Sequence, residues 1–173
     1  MLKNVLVGCL CVAWMSSCGG DDGDGFDLDQ CSSAPDTCDG ETVCISGSCE
    51  AAFGRLYRIT NVVVQLPTLD PAGAPWDAGG GAPDIFVEVL VNGVSAARSA
   101  PVDDMFSASF SGPFTVQPIG GGDLTIMVYD EDLTVDDPAY SCAADPLTAD
   151  LLRSRQLSCN SARGQITFRI DPS

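Results

Sequence analysis

Apolar residues fall at every second position in a series of short runs along the second two-thirds of the chain, the period of a half-buried strand. The clearest is Leu124-Thr-Ile-Met-Val-Tyr-Asp130, in which Leu124, Ile126 and Val128 share one face. Strand-like runs are expected near 55–65, 84–91, 94–99, 106–116, 123–130 and 164–170, separated by Gly, Pro and Asp turns. Gly93, Pro113 and Gly120-Gly-Gly122 are the clearest breakers. Many short strands at such spacing predict an all-β fold, an antiparallel two-sheet β-sandwich over residues 54–173, which is one domain's worth of chain. One short helix is expected after Asp145-Pro146, an N-cap followed by Pro at N1, with Leu147, Leu151 and Leu152 on one face. Arg153 and Arg155 would lie near its C-terminal end, where cations suit the helix dipole.

The first seventeen residues read differently. Lys3 is the only basic residue before the apolar run Val5–Trp14. That run is shorter than the ~20 residues a membrane-spanning helix requires, so it fits an export signal. It closes with Met15-Ser-Ser-Cys18, which resembles the bacterial lipobox: an apolar residue, two small ones, then Cys. The resemblance implies cleavage before Cys18, attachment of acyl lipid to it, and an exported chain anchored to a bacterial membrane, on its periplasmic face or at the cell surface. Residues 18–30 are dense in Gly and Asp and lack an apolar face, which predicts an extended, self-repelling linker.

The cysteines agree with export. Of nine in the chain, Cys9 and Cys11 belong to the signal and Cys18 to the lipid. Cys31, Cys38, Cys44, Cys49, Cys142 and Cys159 remain, an even set that reads as disulfides in an oxidising compartment. Residues 31–50 carry four of them in a stretch too short for a core of its own, and two cross-links would replace one. The sequence leaves the three pairings open and predicts a small cysteine-rich spacer knot. A four-thiolate zinc site is the alternative, disfavoured by oxidising export and by the lack of a C-x-x-C pair. Cys142 is expected to pair with Cys159.

Charge narrows the partners. The chain carries 24 acidic against eight basic residues, a formal net charge of −16, with no histidine and with Lys3 as its single lysine. Nucleic acid is excluded for want of a basic patch. The missing histidine removes Ser–His and Cys–His nucleophilic catalysis and the usual zinc hydrolase sites. A carboxylate pair could in principle cleave glycosides. However, Trp76 is the only tryptophan beyond the signal, a thin platform for sugar stacking, and no enzyme activity is expected.

The acidic residues are not scattered. Asp130 ends the 123–130 run and Asp132 lies just past it, Asp136 and Asp137 follow in the same loop, and no basic residue interrupts them. Upstream, Leu66-Pro-Thr-Leu-Asp70 precedes a Gly/Pro/Ala-rich loop bearing Trp76-Asp77 and Pro83-Asp84. Carboxylates brought together at strand ends repel unless solvent, distance or a cation relieves them. A hard divalent cation held by oxygens, calcium above all, suits such a set.

Two motifs in order, Leu66-Pro67-Thr68-Leu69-Asp70 with Ala82-Pro83-Asp84-Ile85-Phe86-Val87-Glu88-Val89, then Leu124-Thr-Ile-Met-Val-Tyr-Asp-Glu-Asp132, resemble the C2 domain over about residues 54–171. The resemblance implies a β-sandwich with calcium bound at one rim. The ligands it implies are Asp77, Asp84, Asp130, Asp132 and Asp137, with Asp70 and Asp136 in reserve because the first loop is long and the last is short. It further implies a monomeric module that binds membrane lipid or another acidic surface through calcium. Without lysine, any lipid contact would run through the metal. The rival expectation is a structural or adhesion lipoprotein that binds protein or polysaccharide without calcium.

Overall fold

Burial along Leu124–Asp130 alternates residue by residue: Leu124, Ile126, Val128 and Asp130 are buried, while Thr125, Met127 and Tyr129 are half-exposed. In the computed structural model this segment is the eighth of the eleven strands among the described residues. The structure describes residues 31–173 apart from 34, 78–79, 119 and 133–135. The expected signal, the linker and Cys18 lie outside the described residues.

The strands are β1 Thr42–Ile45, β2 Ser48–Ala51, β3 Tyr57–Gln65, β4 Ile85–Val91, β5 Val94–Arg98, β6 Ser107–Phe110, β7 Phe114–Val116, β8 Leu124–Asp130, β9 Asp137–Ala144, β10 Gln156–Ser161 and β11 Gly164–Pro172. The one helix among the described residues, α1 Ala149–Ser154, separates β9 from β10. One sheet runs β5-β4-β8-β9 and the other β10-β11-β3-β6, with β7 also on β3. All pairings are antiparallel.

β6 and β7 pair with the two halves of β3, Val62–Gln65 and Tyr57–Ile59, so they act as one interrupted edge strand. Each sheet is thus effectively four strands wide. The interruption needs Gly112: its φ is +73°, and a Cβ there would lie 2.6 Å from the Ile59 carbonyl oxygen. Inward-facing Ile59, Val62, Val64, Ile126, Val128, Ile166 and Ile170 form the core between the sheets. The expected all-β, C2-like antiparallel sandwich is the observed architecture.

Two strands of the sandwich were not visible in the sequence, nor was the β1–β2 hairpin of the knot. β9 buries only Ala139, Cys142 and Ala144, residues too small to mark a strand by hydrophobic period. β10 is a polar edge strand, Gln-Leu-Ser-Cys-Asn-Ser. The Cys142–Cys159 disulfide joins them across the two sheets, as expected.

The helix also differs from expectation. It is capped by Thr148, whose Oγ1 accepts the Leu151 N–H, rather than by Asp145. Pro146 follows a cis peptide bond and stays outside the helix. The hydroxyl cap nearer the apolar pair Leu151–Leu152 therefore replaces the Asp-Pro start. Arg153 lies in the last turn, whereas Arg155 caps the C-terminus in the left-handed region, with φ 57°, and is buried.

The cysteine-rich segment is cross-linked Cys31–Cys44 and Cys38–Cys49, around the hairpin of β1 and β2. All four sulfurs are paired in disulfides. This knot is seated on the sandwich rather than set apart from it. Val43 and Ala52 belong to the shared core, and the Tyr57 hydroxyl donates to the Ala52 carbonyl at 2.7 Å. Asp36, with its side chain fully buried, accepts the backbone N–H groups of Cys38 (3.1 Å) and Cys44 (2.8 Å) and pairs with Arg155 at 3.1 Å. Arg155 also donates to the Cys44 carbonyl at 2.6 Å, and Arg153 to the carbonyls of Gly40 (2.8 Å) and Thr42 (2.7 Å).

Candidate metal centre

Three loops meet at one end of the sandwich: 66–84 between β3 and β4, 99–106 between β5 and β6, and 131–136 between β8 and β9. Strand register brings them together. Ile85 pairs with Asp130 and Asp130 with Asp137, so the starts of β4 and β9 flank the end of β8. The Ile85–Val102 bridge adds the third loop.

Asp130 continues the inward face of β8 into the rim and is only 2% exposed. Its Oδ1 accepts the Asp84 backbone N–H at 2.8 Å, and the Asp84 carbonyl accepts the Glu131 N–H at 2.9 Å. Burial pushes the Asp130 carboxyl up to about 6; the Asp84 N–H opposes this, and the charges of Asp77, Asp132 and Asp84 add to it. The neighbouring charges that raise this buried carboxylate are those of other carboxylates.

The first loop is pinned by Trp76, which packs against the core and donates from Nε1 to the Pro67 carbonyl at 2.9 Å. This anchoring brings Asp77 back beside Asp84. The Asp77 carboxyl lies over Gly81, where a Cβ would come within 2.8 Å of Oδ2. It too is raised, first by burial, then by Asp84, Asp104 and Asp132.

Asp77, Asp84, Asp130 and Asp132, four of the five first-choice residues, thus lie near enough at this rim for their charges to act on one another. Asp137 is exposed and faces Asp130 across the β8–β9 ladder. The reserve residues are engaged elsewhere. Asp70 Oδ1 accepts the N–H groups of Ala72 (2.8 Å) and Ala74 (2.7 Å), so it builds the turn of its own loop. Asp136 pairs with Arg98 at 3.2 Å. Arg98 in turn lies 3.6 Å above the Phe86 ring, itself stacked on Tyr129, on the outer face of the sheet.

Asp104 joins the rim without having been expected there. It sits in the 99–106 loop with φ 53°, its N–H donates to Asp84 Oδ1 at 2.8 Å, and its charge acts on Asp77. The isolated pair Asp103-Asp104 carries no strand or motif context. Its only local signal is that Asp tolerates the left-handed region and so suits a turn.

The chemistry of these residues suits a hard cation, although no three of their carboxylates bring oxygens within 4.8 Å of one another. The donors are carboxylate oxygens at strand ends and in the loops that join them, one of them buried. Neither histidine nor free thiol is present among them, which suits calcium rather than zinc. At the same end, Leu69 and Met105 stand 47% and 46% exposed on two of the three loops, large apolar side chains beside the acids.

The architecture is that of C2 domains. A solved C2 domain superposes with a TM-score of 0.52 at 16% identity, over 68% of this chain and 97% of its own. The calcium-bound structure of the two C2 domains of extended synaptotagmin 2 gives 0.52 at 19% identity, over 68% of this chain and 45% of that one. Human GIVD cytosolic phospholipase A2, complexed with an inhibitor and terbium chloride, gives 0.53 at 15%, over 68% and 17%. This chain thus spans less than half the length of the latter two. Neither a protein-family model nor a curated protein sequence matches it. At these identities the likeness is one of fold, and residues 31–173 carry a C2-like domain with a docked disulfide knot.

Proposed function

We propose that this is an exported, lipid-anchored lipoprotein whose C2-like domain binds calcium at the acidic rim and, through calcium, membrane lipid. The observation that carries the reading is the buried Asp130, hydrogen-bonded to the Asp84 N–H and acted on by the charges of Asp77, Asp84 and Asp132. A divalent cation would remove the repulsion and leave coordination positions for oxygens of another molecule. Asp77, Asp84, Asp130 and Asp132 would hold it, with Asp104 and Asp137 at the margin. Phosphate oxygens of a headgroup suit the remaining positions, and Leu69 and Met105 would enter the apolar layer beside them. The fold of calcium-bound extended synaptotagmin 2 supports the calcium part of this reading. The lipid anchor at Cys18 rests on the lipobox resemblance alone.

Sedimentation with phosphatidylserine-containing vesicles tests the reading. Calcium-dependent, chelator-reversible binding is expected. Binding that ignores calcium, or none at all, would favour an adhesion module that recognises protein or polysaccharide.

A further inference from the structure

Every loop of the acidic rim lies at one end of the strands, and the segment through which the chain enters the domain lies at the other. β8 runs from Leu124 to Asp130, with Asp130 at the rim. At its opposite end Leu124 pairs with Ala144, and the chain beyond Ala144 leads directly into α1. There the Leu147 N–H donates to the Gly122 carbonyl at 2.7 Å, and Phe53 lies against Gly120. The knot is fastened to this same end, through Arg153 in the last turn of α1, through Arg155 just after it, and through Tyr57, the first residue of β3. The Cys31 N–H is itself bonded into the knot, to the Gly47 carbonyl at 2.9 Å. The knot therefore fixes the pole from which any N-terminal attachment departs.

From this placement we infer that the rim engages a membrane other than the one to which the chain is attached, so that the protein bridges two lipid surfaces. The inference rests on the calcium and lipid-anchor readings above and adds the direction of binding. A strand the length of β8 separates the poles by roughly 20 Å, and the rim loops and the knot lengthen the path. Residues 18–30, whatever conformation they take, reach at most about 45 Å. An unconstrained chain of that length averages about 20 Å end to end. Bringing the rim down onto the anchoring membrane would draw those residues back along the whole domain, beyond their unconstrained average of about 20 Å. Binding an apposed surface requires no such stretch. Two disulfides and the Asp36–Arg155 pair also resist the alternative of swinging the knot around to the rim side.

The test uses the full chain, purified with its lipid from the membrane fraction and reconstituted into phosphatidylcholine vesicles. A second population of phosphatidylserine–phosphatidylcholine vesicles is added, and particle size is followed by light scattering. Calcium should raise the mean size several-fold, a chelator should reverse the rise, and the double variant D130N/D132N should show none. The full chain with Cys18→Ser, which has the rim but no anchor, should bind phosphatidylserine vesicles without clustering them. If Cys18→Ser binds those vesicles with calcium but the anchored protein clusters nothing, the bridging inference fails while the calcium reading stands. Clustering by Cys18→Ser as strong as by the anchored chain also overturns it. If Cys18→Ser binds neither calcium nor vesicles, or if the wild type incorporates no labelled fatty acid, a reading beneath the inference is gone and the inference goes with it.

Discussion

The backbone N–H of Asp84 donates to Oδ1 of Asp130 at 2.8 Å, tying the entrance of β4 to the exit of β8 across 46 residues of sequence. This bond holds two carboxylate-bearing residues in one geometry while their charges oppose each other. It relieves Asp130 only in part, because burial and three neighbouring acids still raise its carboxyl to about 6.

A pH dependence follows for the cation-free protein. The folded-state value lies above the unfolded one, so ionised Asp130 opposes folding throughout the range above about 6. That cost fades as pH falls and is gone below the unfolded value of 3.8. Asp77 is shifted in the same sense. In a chelator, the melting temperature should therefore rise between pH 7 and pH 5, and Asp130→Asn should flatten the rise. A wild-type melting temperature that falls steadily over that interval would contradict the account.

Asp70 and Asp77 should separate cleanly. Asp70→Ala removes two turn hydrogen bonds and should cost about 1 kcal/mol of stability, with calcium binding retained. Asp77→Asn should leave cation-free stability unchanged or slightly higher while weakening calcium binding. Paired melting curves with and without calcium distinguish them, and a loss of calcium binding in Asp70→Ala would mean that the wrong acid has been placed at the rim.

Breaking the seat of the knot should be costly. Asp36→Ala leaves Arg155 buried without its counter-charge and strips the Cys38 and Cys44 amides of their acceptor. A loss of about 3–5 kcal/mol is expected in urea unfolding. A change under about 1 kcal/mol, the worth of an exposed ion pair, would show that the knot is only loosely attached.

The inter-sheet disulfide makes a separate contribution. Replacing Cys142 and Cys159 together by Ser opens a loop with a sequence separation of 17 and should cost about 3 kcal/mol. Equilibrium unfolding of the two forms measures this directly.

Much of this molecule was legible because its strands alternate strongly. β3, β4, β8 and β11 carry Val, Ile and Leu at period two and bury them in the order read. β9 and β10 were not legible because small and polar residues can form a strand once a neighbour and a disulfide hold them, and period analysis sees neither. The rim was readable where acids adjoin such strands, as Asp84 and Asp130 do. Three details depended on tertiary contacts without a local signal. Trp76 folds the first loop back to choose Asp77 over Asp70. Arg98 on the neighbouring strand draws Asp136 away, and the 99–106 loop brings in Asp104. The seating of the knot was hidden for the same reason, since Asp36 and Arg155 meet from 119 residues apart.

The central claim is that the rim binds calcium, and a calorimetric titration of the protein with calcium, paired with melting curves, tests it most directly. Binding is expected with a dissociation constant on the order of 10⁻⁴–10⁻³ M, suited to an exported module. Saturation should stabilise the fold by roughly 1–3 kcal/mol, and D130N/D132N should lose both the heat and the melting shift while keeping its cation-free stability. No heat and no shift at millimolar calcium in the wild type would contradict the account and leave the acidic rim as solvated turns.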